Sequence, residues 1–313
     1  MKVIFFGTPH FAANVLNYLL DHDVNIAAVV TRPDKPKGRS GKPVHTPVKD
    51  AVLAKNPSIP VYQPEKVSSP EFAPVLPAFE ADLFVVVAYG ELVKQHILDM
   101  PKIACINLHA SLLPKYRGAA PIQRSIIEGE IETGVTIMHM IKKMDAGDMI
   151  RKVKVPIGAN DTFGEIEGRL CQKGSELLLE VIRDFEKGHV SQTVQDESKA
   201  TFAPKVELED CEIDWNFPSQ AIHNLVRGVN PYPGAWCSVL VKGERKYLKV
   251  ISTRVQNDKK GSPGEILEVD TDGLTVACGS GAIRIAALQL EGKRAMSPNE
   301  LLRGTSITFV VKS

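Results

Sequence analysis

In Cys105-Ile-Asn107-Leu-His109-Ala-Ser111-Leu-Leu-Pro114, strand alternation puts Cys105, Asn107 and His109 on one face and Ile106 and Leu108 on the other. An amide donor and a titratable donor then converge where the strand ends. Open α/β sheets bind ligands there, and this pair can stabilise a developing oxyanion. A hydrogen-bonded core pair closing the strand would explain the same spacing. Asp145, in Lys143-Met-Asp145-Ala-Gly-Asp148, follows the apolar run 135–141 and is expected near a strand's carboxyl end as well. A carboxylate beside His109 would favour the imidazolium and orient the ring. A plain turn before Gly147 is the alternative for both Asp145 and Asp148.

Other segments offer weaker chemistry. Phe6-Gly7-Thr8-Pro9 is neither GxGxxG nor a Walker sequence and reads as a strand-to-helix turn. Val87-Ala88-Tyr89-Gly90 ends another strand and either presents backbone groups to a flat ligand or simply turns. Between Thr31 and Lys49, six basic residues (Arg32, Lys35, Lys37, Arg39, Lys42, Lys49) face one acid, Asp34. Such a Gly/Pro-punctuated basic loop suits phosphates, though solvated surface loops also carry charge. Between positions 242 and 260, seven cations, Lys246 and Lys249 among them, face Glu244 and Asp258, as a stripe contacting nucleic acid would or as plain solvated strands. His10, His22, His96, His139, His189 and His223 fall into no ligand spacing, and the five cysteines form no CxxC pair, so no metal is expected.

The scaffold for these groups follows from length and pattern. With 313 residues, 43% apolar, the chain suits two cores at roughly 150 residues per domain. That composition excludes disordered and collagen-like chains. Lys+Arg of 38 against Asp+Glu of 37 leaves +1, so any charge argument must be local. Scattered cysteines fit a reducing cytoplasm, and no apolar run approaches the ~20 residues of a membrane span.

From residue 2 to about 187, apolar runs at 2–6, 25–31, 82–87, 103–108 and 135–141 alternate with amphipathic segments. This predicts a Rossmann-like, doubly wound, mostly parallel α/β sheet. Thr8-Pro9, Thr46-Pro47 and Ser69-Pro70 each suggest an N-cap hydroxyl before a first-turn proline. Residues 164–185 read as a long closing helix. The polar stretch that follows reads as a linker; beyond it come a helix near 219–229 and short strands at 235–241, 247–253, 264–269, 274–278, 283–288 and 306–311. Their spacing suggests a small barrel of OB-like type. The expected division is 1–189, a linker at 190–205, and 206–313.

Taken together, these segments resemble the methionyl-tRNA formyltransferase family over essentially the whole chain. The resemblance rests on Phe5-Phe-Gly-Thr-Pro9, the basic loop through Thr46-Pro47-Val48-Lys49, and Asn107-Leu-His109-Ala-Ser-Leu-Leu-Pro-Lys-Tyr-Arg117-Gly-Ala-Ala-Pro-Ile-Gln123. It extends to Asp145-Ala-Gly-Asp148, Ile213-Asp-Trp215 and Asn230-Pro-Tyr-Pro-Gly-Ala-Trp236. It implies a formyltransferase fold with an OB-like tRNA-binding domain, and formyl transfer from 10-formyltetrahydrofolate to the α-amine of methionine on initiator methionyl-tRNA. Matched by position, Asn107, His109 and Asp145 take the catalytic places. Ser111, Leu112, Leu113 and Pro114, with Ala88, Tyr89 and Gly90, take the folate site; Lys35, Lys37, Arg39, Lys42, Lys205, Lys246 and Lys249 take the tRNA contacts. A cytoplasmic monomer without metal or membrane attachment is expected. Lys143 stands where many relatives have Gly, and Ala146 where many have Thr. The alternatives are the same chemistry on a small amine, such as glycinamide ribonucleotide or an amino-sugar nucleotide, hydrolysis of the formyl donor, or a non-catalytic RNA-binding protein.

Overall fold

The computed structural model describes residues 1–36 and 41–312. The chain divides into two compact units. The first comprises residues 1–118, 134–155 and 167–202; the second, residues 119–133, 156–166 and 203–313.

In chain order, the elements up to residue 186 are β1 (Val3–Gly7), α1 (His10–Asp21), β2 (Ile26–Val30), β3 (Lys35–Pro36), β4 (Pro43–Val44), α2 (Pro47–Lys55), β5 (Val61–Tyr62), β6 (Leu83–Val87), α3 (Gln95–Leu98), β7 (Ala104–His109), α4 (Pro121–Ile127), β8 (Glu132–His139), β9 (Met149–Pro156) and α5 (Phe163–Glu186). The main sheet runs β5-β2-β1-β6-β7-β8-β9, and its first five strands are mutually parallel. Every residue of β1 and β6 is buried, as expected of strands covered on both faces. Ile4, Phe6, Ala28, Val30, Phe84, Val86 and Cys105 build one face. On the other, the bare backbone of α5 at Gly174 comes close to Leu108 and Val135.

Of the three expected cap hydroxyls, one makes no cap bond and one is followed by a different kind of helix. Thr46 does cap α2, accepting from Lys49 N at 3.2 Å. Thr8 does not cap α1: Pro9 holds the N-cap position, and the Thr8 hydroxyl instead donates to Tyr89 O at 2.8 Å. Ser69 Oγ does accept from Phe72 N at 3.3 Å, but the chain continues as a 3-10 turn, Ala73–Phe79, because Pro74 and Pro77 remove the donors an α-helix needs.

In the second unit, α6 (Ser219–Gly228) accompanies β10 (Ala235–Val241), β11 (Glu244–Gln256), β12 (Ile266–Asp270), β13 (Gly273–Ala277), β14 (Ala282–Leu290), α7 (Pro298–Leu302) and β15 (Ile307–Phe309). The six strands form an antiparallel sheet in the order β12-β13-β14-β11-β10-β15. Its two ends curl together. A side chain at Gly264, just before β12, would meet Val311 at 2.7 Å and Phe309 at 3.6 Å, on the far edge. The result is an OB-like half-barrel. Trp215, fully buried, fills its core edge-on to Phe309 with ring centroids 4.8 Å apart. Trp215→Ala is expected to cost about 3–5 kcal/mol, read as a lower thermal midpoint; Trp215→Phe, which keeps the edge-on ring and removes an unpartnered indole N–H, should cost clearly less.

Candidate functional site

The parallel register places the ends of β1, β6 and β7 side by side, with Gly7 opposite Val87 and Val86 opposite Asn107. The turns after these strands therefore share one edge, and the Thr8–Tyr89 bond ties two of them together. Asn107 is half-buried on β7, and its side-chain amide makes no hydrogen bond among the described residues. His109 is buried at the end of the same strand. Its Nε2 lies 2.9 Å from Tyr116 O. A carbonyl can only accept, so Nε2 carries the proton and the ring is fixed with Nδ1 as the nitrogen left for other partners.

Nδ1 faces Asp145 Oδ2 at 3.7 Å, beyond a direct hydrogen bond. The same carboxylate oxygen accepts from Gly118 N at 2.8 Å. Asp145 reaches His109 by a route other than the expected carboxyl end of a parallel strand: β8 is antiparallel to β7, pairing Thr136 with His109 and His139 with Ile106. Its carboxyl end thus lies at the opposite end, and residues 140–148 double back to bring Asp145 to His109. A close approach permits this: a side chain at Gly147 would sit 1.8 Å from His139 O. Asp145 itself is left-handed, at φ +49, a conformation that aspartate tolerates better than most residues.

The loop after β7 is tightly tied. Ser111 donates to Lys115 O at 2.6 Å, Thr136 donates to Ser111 O at 2.7 Å, and Thr136 Oγ1 accepts from Leu113 N at 3.2 Å. Ser111 and Leu113 are fully buried, while Leu112 and Pro114 are half-buried. Ala88 and Gly90 are exposed beside the same edge, and Tyr89 points into the core. Burial raises the Cys105 thiol to about 12, which leaves it no role as a nucleophile.

Lys35 is exposed on β3 and Lys42 is exposed before β4, while Lys37 and Arg39 lie outside the described residues. Part of the loop's charge is already paired: Arg32 with Glu91 at 2.7 Å and Lys49 with Asp34 at 2.6 Å. Lys205 pairs with Glu207 and Lys246 with Glu244, each at 3.0 Å, and Lys249 lies against Pro231 O at 3.4 Å.

Sequence reasoning missed four groups that support the site: the Tyr116 carbonyl, the Gly118 amide, Gln195 and Glu197. Two are backbone atoms, and the other two lie in the polar stretch taken for a linker, so local pattern gave no signal. Hydrogen bonds from Arg117 and then from Lys143 pull the exposed Glu197 carboxyl down to about 2. Its folded-state value lies below the ordinary 4.5, so stability from this pairing is present above that pH and is lost as pH falls toward about 2. Glu197→Gln should therefore lower the thermal midpoint at pH 7 and converge with the parent as the pH drops from about 5 to 2.

Comparisons with known proteins bear on the family of the chain. Residues 1–182 match the family described as formyl transferase, and residues 205–306 the formyl transferase C-terminal domain. The methionyl-tRNA formyltransferase of Protochlamydia amoebophila is 62% identical over 306 residues, covering 98% of this chain and 96% of that protein. That of Chlamydia caviae is 45% identical over 309 residues, again covering 98% and 96%. Among solved structures, the sugar 3N-formyl transferase WlaRD, in the presence of dTDP and 5-N-formyl-THF, superposes with a TM-score of 0.66 at 20% identity, covering 94% of this chain and 99% of its own. HypX from Aquifex aeolicus, in complex with tetrahydrofolic acid, gives 0.64 at 19% over 96% of this chain; the chain spans about half of that protein, 47%. At such identities the two structures speak for the fold alone. With both domain families matched in order and full-length relatives at this identity, the chain belongs to the formyl transferase family.

Proposed function

We propose that the chain transfers the formyl group of 10-formyltetrahydrofolate to the α-amino group of methionine esterified to initiator tRNA, as a cytoplasmic monomer. The observation that carries this is the pairing of His109 with Asp145 beside an unbonded Asn107 amide, in a chain 62% identical to a methionyl-tRNA formyltransferase. Among the described residues, no helix is long and apolar enough to cross a membrane. We assign catalysis to a domain at 1–189 and tRNA binding to one at 206–313, with 190–205 connecting them in sequence while its residues up to 202 belong to the first unit.

A free α-amine with a pKa near 8 keeps a reactive neutral fraction at neutral pH, so the protein's task is to dock that form, position it, stabilise charge and handle protons. The amine lone pair forms the new C–N bond, and the carbonyl π pair moves onto the formyl oxygen. The Asn107 amide and the imidazolium form of His109, with a second proton on Nδ1 that the Asp145 carboxylate favours, stabilise the charge that develops there. Asp145 faces the same nitrogen and accepts the proton that the amine must lose, directly or through a water. The old C–N bond then breaks with its electron pair leaving on the folate nitrogen, which takes up a proton, so charge and protons balance. The folate ring fits the edge formed by Ala88, Tyr89 and Gly90 on one side and Ser111, Leu112, Leu113 and Pro114 on the other. Exposed backbone at Ala88 and Gly90 and the half-buried Leu112 support that assignment. Lys35, Lys37, Arg39 and Lys42, with Lys205, Lys246 and Lys249, contact the tRNA backbone.

The test offers labelled 10-formyltetrahydrofolate together with methionyl initiator tRNA, methionyl elongator tRNA, free methionine, glycinamide ribonucleotide or an amino-sugar nucleotide. Label on initiator tRNA alone is the expected result; label on a small amine, or only formate release, would overturn the assignment. His109→Ala and Asn107→Ala should each lower turnover by ~10²-fold or more. Arg39→Ala should weaken use of tRNA in a salt-dependent way while folate binding stays unchanged.

A further inference from the structure

Residues 193–197 run antiparallel to the turn that carries Asp145 and grip it at every second position. Thr193 and Met149 exchange two backbone hydrogen bonds, each 2.8 Å. Two residues on, Gln195 Nε2 donates to Asp145 O at 2.9 Å and to Gly147 O at 2.7 Å. Two further on, Glu197 accepts from Lys143 at 2.6 Å. Gln195 is buried, so its amide bonds are shielded from water and its orientation is fixed. That orientation is set by Arg117, whose Nε and Nη2 both donate to Gln195 Oε1, at 3.1 and 2.7 Å.

The chain direction closes this arrangement into a ring. Tyr116, one residue before Arg117, supplies the carbonyl that fixes His109 Nε2; Gly118, one residue after, supplies the amide that holds Asp145 Oδ2. Gln195 holds the backbone of Asp145 from the other side. The same segment continues to Thr201, whose hydroxyl accepts from Tyr116 N and whose carbonyl accepts from Arg117 N, each at 2.9 Å.

We propose that residues 193–202 form a strap that sets the His109–Asp145 spacing, with Gln195 as a positioning residue whose side-chain amide fixes the Asp145 turn and Arg117 as the group that orients that amide. This deepens the formyl-transfer assignment and rests on it for its kinetic consequence. A left-handed aspartate on a loop that doubles back needs such over-determination, because relaxation of the turn would take the carboxylate away from Nδ1.

Gln195→Glu tests this at constant volume. The carboxylate keeps an acceptor for Arg117, so the fold persists, but it has no N–H for Asp145 O and Gly147 O. With the full-length protein, 10-formyltetrahydrofolate and methionyl initiator tRNA, kcat should fall at least 10-fold. The KM values for both substrates should stay within about 3-fold and the thermal midpoint within a few degrees, and the pH profile of kcat/KM should shift. Gln195→Met, which lacks the donor without adding charge but also withdraws the acceptor that Arg117 uses, should show at least the same kcat loss per folded molecule and serves as the test if the charged variant fails to fold. Parent-like kcat and pH profile in a folded variant would overturn the proposal, as would a loss of stability with kcat per folded molecule unchanged. Should the parent protein itself transfer no formyl group, the functional assignment fails. The strap is then judged by the ¹⁵N imidazole signals of His109, assigned with His109→Asn: a moved titration midpoint in Gln195→Glu supports it, and an unmoved one overturns it.

Discussion

A guanidinium cannot shed its charge at any ordinary pH, so a buried arginine has to find acceptors for its whole fork. Arg117 is 1% exposed, and its acceptors are Gln195 Oε1 and the two oxygens of Glu197. Both partners lie about eighty residues along the chain. Meeting this one requirement draws residues 193–202 back onto the first unit, and the backbone on either side of Arg117 then holds His109 and Asp145. The need to neutralise one buried cation thus fixes the relation between an imidazole and a carboxylate that it never touches.

The sheet imposes a second constraint. Parallel strands β1, β6 and β7 bring their following turns to one edge, which is why Asn107 and His109 were legible from alternation alone. Reversal of the next strand sends its carboxyl end the other way, and a carboxylate from that side reaches the edge only through a loop that turns back on itself. The side-chain-free Gly147 against His139 O and the left-handed Asp145 are local consequences of that reversal. Strand direction leaves no trace in an apolar run of seven residues, so the wrong route to Asp145 could not have been corrected from the sequence.

What the sequence reveals and conceals follows from the range of each interaction. Thr46 caps α2 because the bond spans three residues, and α5 begins and ends within one residue of expectation because its apolar stripe repeats over many turns. Thr8 carries the same cap signal but makes no cap bond, and its hydroxyl is directed to a carbonyl eighty-one residues away, on Tyr89. Gln195 sits among Ser, Thr, Asp and Lys, a composition that reads as connecting chain, and only a partner from elsewhere in the fold turns one of those polar residues into a buried clamp.

Charge shows the same gap between pattern and structure. The segment from Thr31 to Lys49 reads as six cations against one acid, but Lys49 is held by that acid, and Arg32 by Glu91 from well beyond the segment. Farther along, Lys205, Lys246 and Lys259 each lie within 3.0 Å of a carboxylate. A polyanion approaching an unpaired lysine releases its own counterions, whereas at a paired lysine it must first displace a carboxylate, so the salt slope of binding counts fewer cations than the sequence contains. Of the six cations in that segment, Arg32 and Lys49 therefore have carboxylate partners that discount them from such a slope.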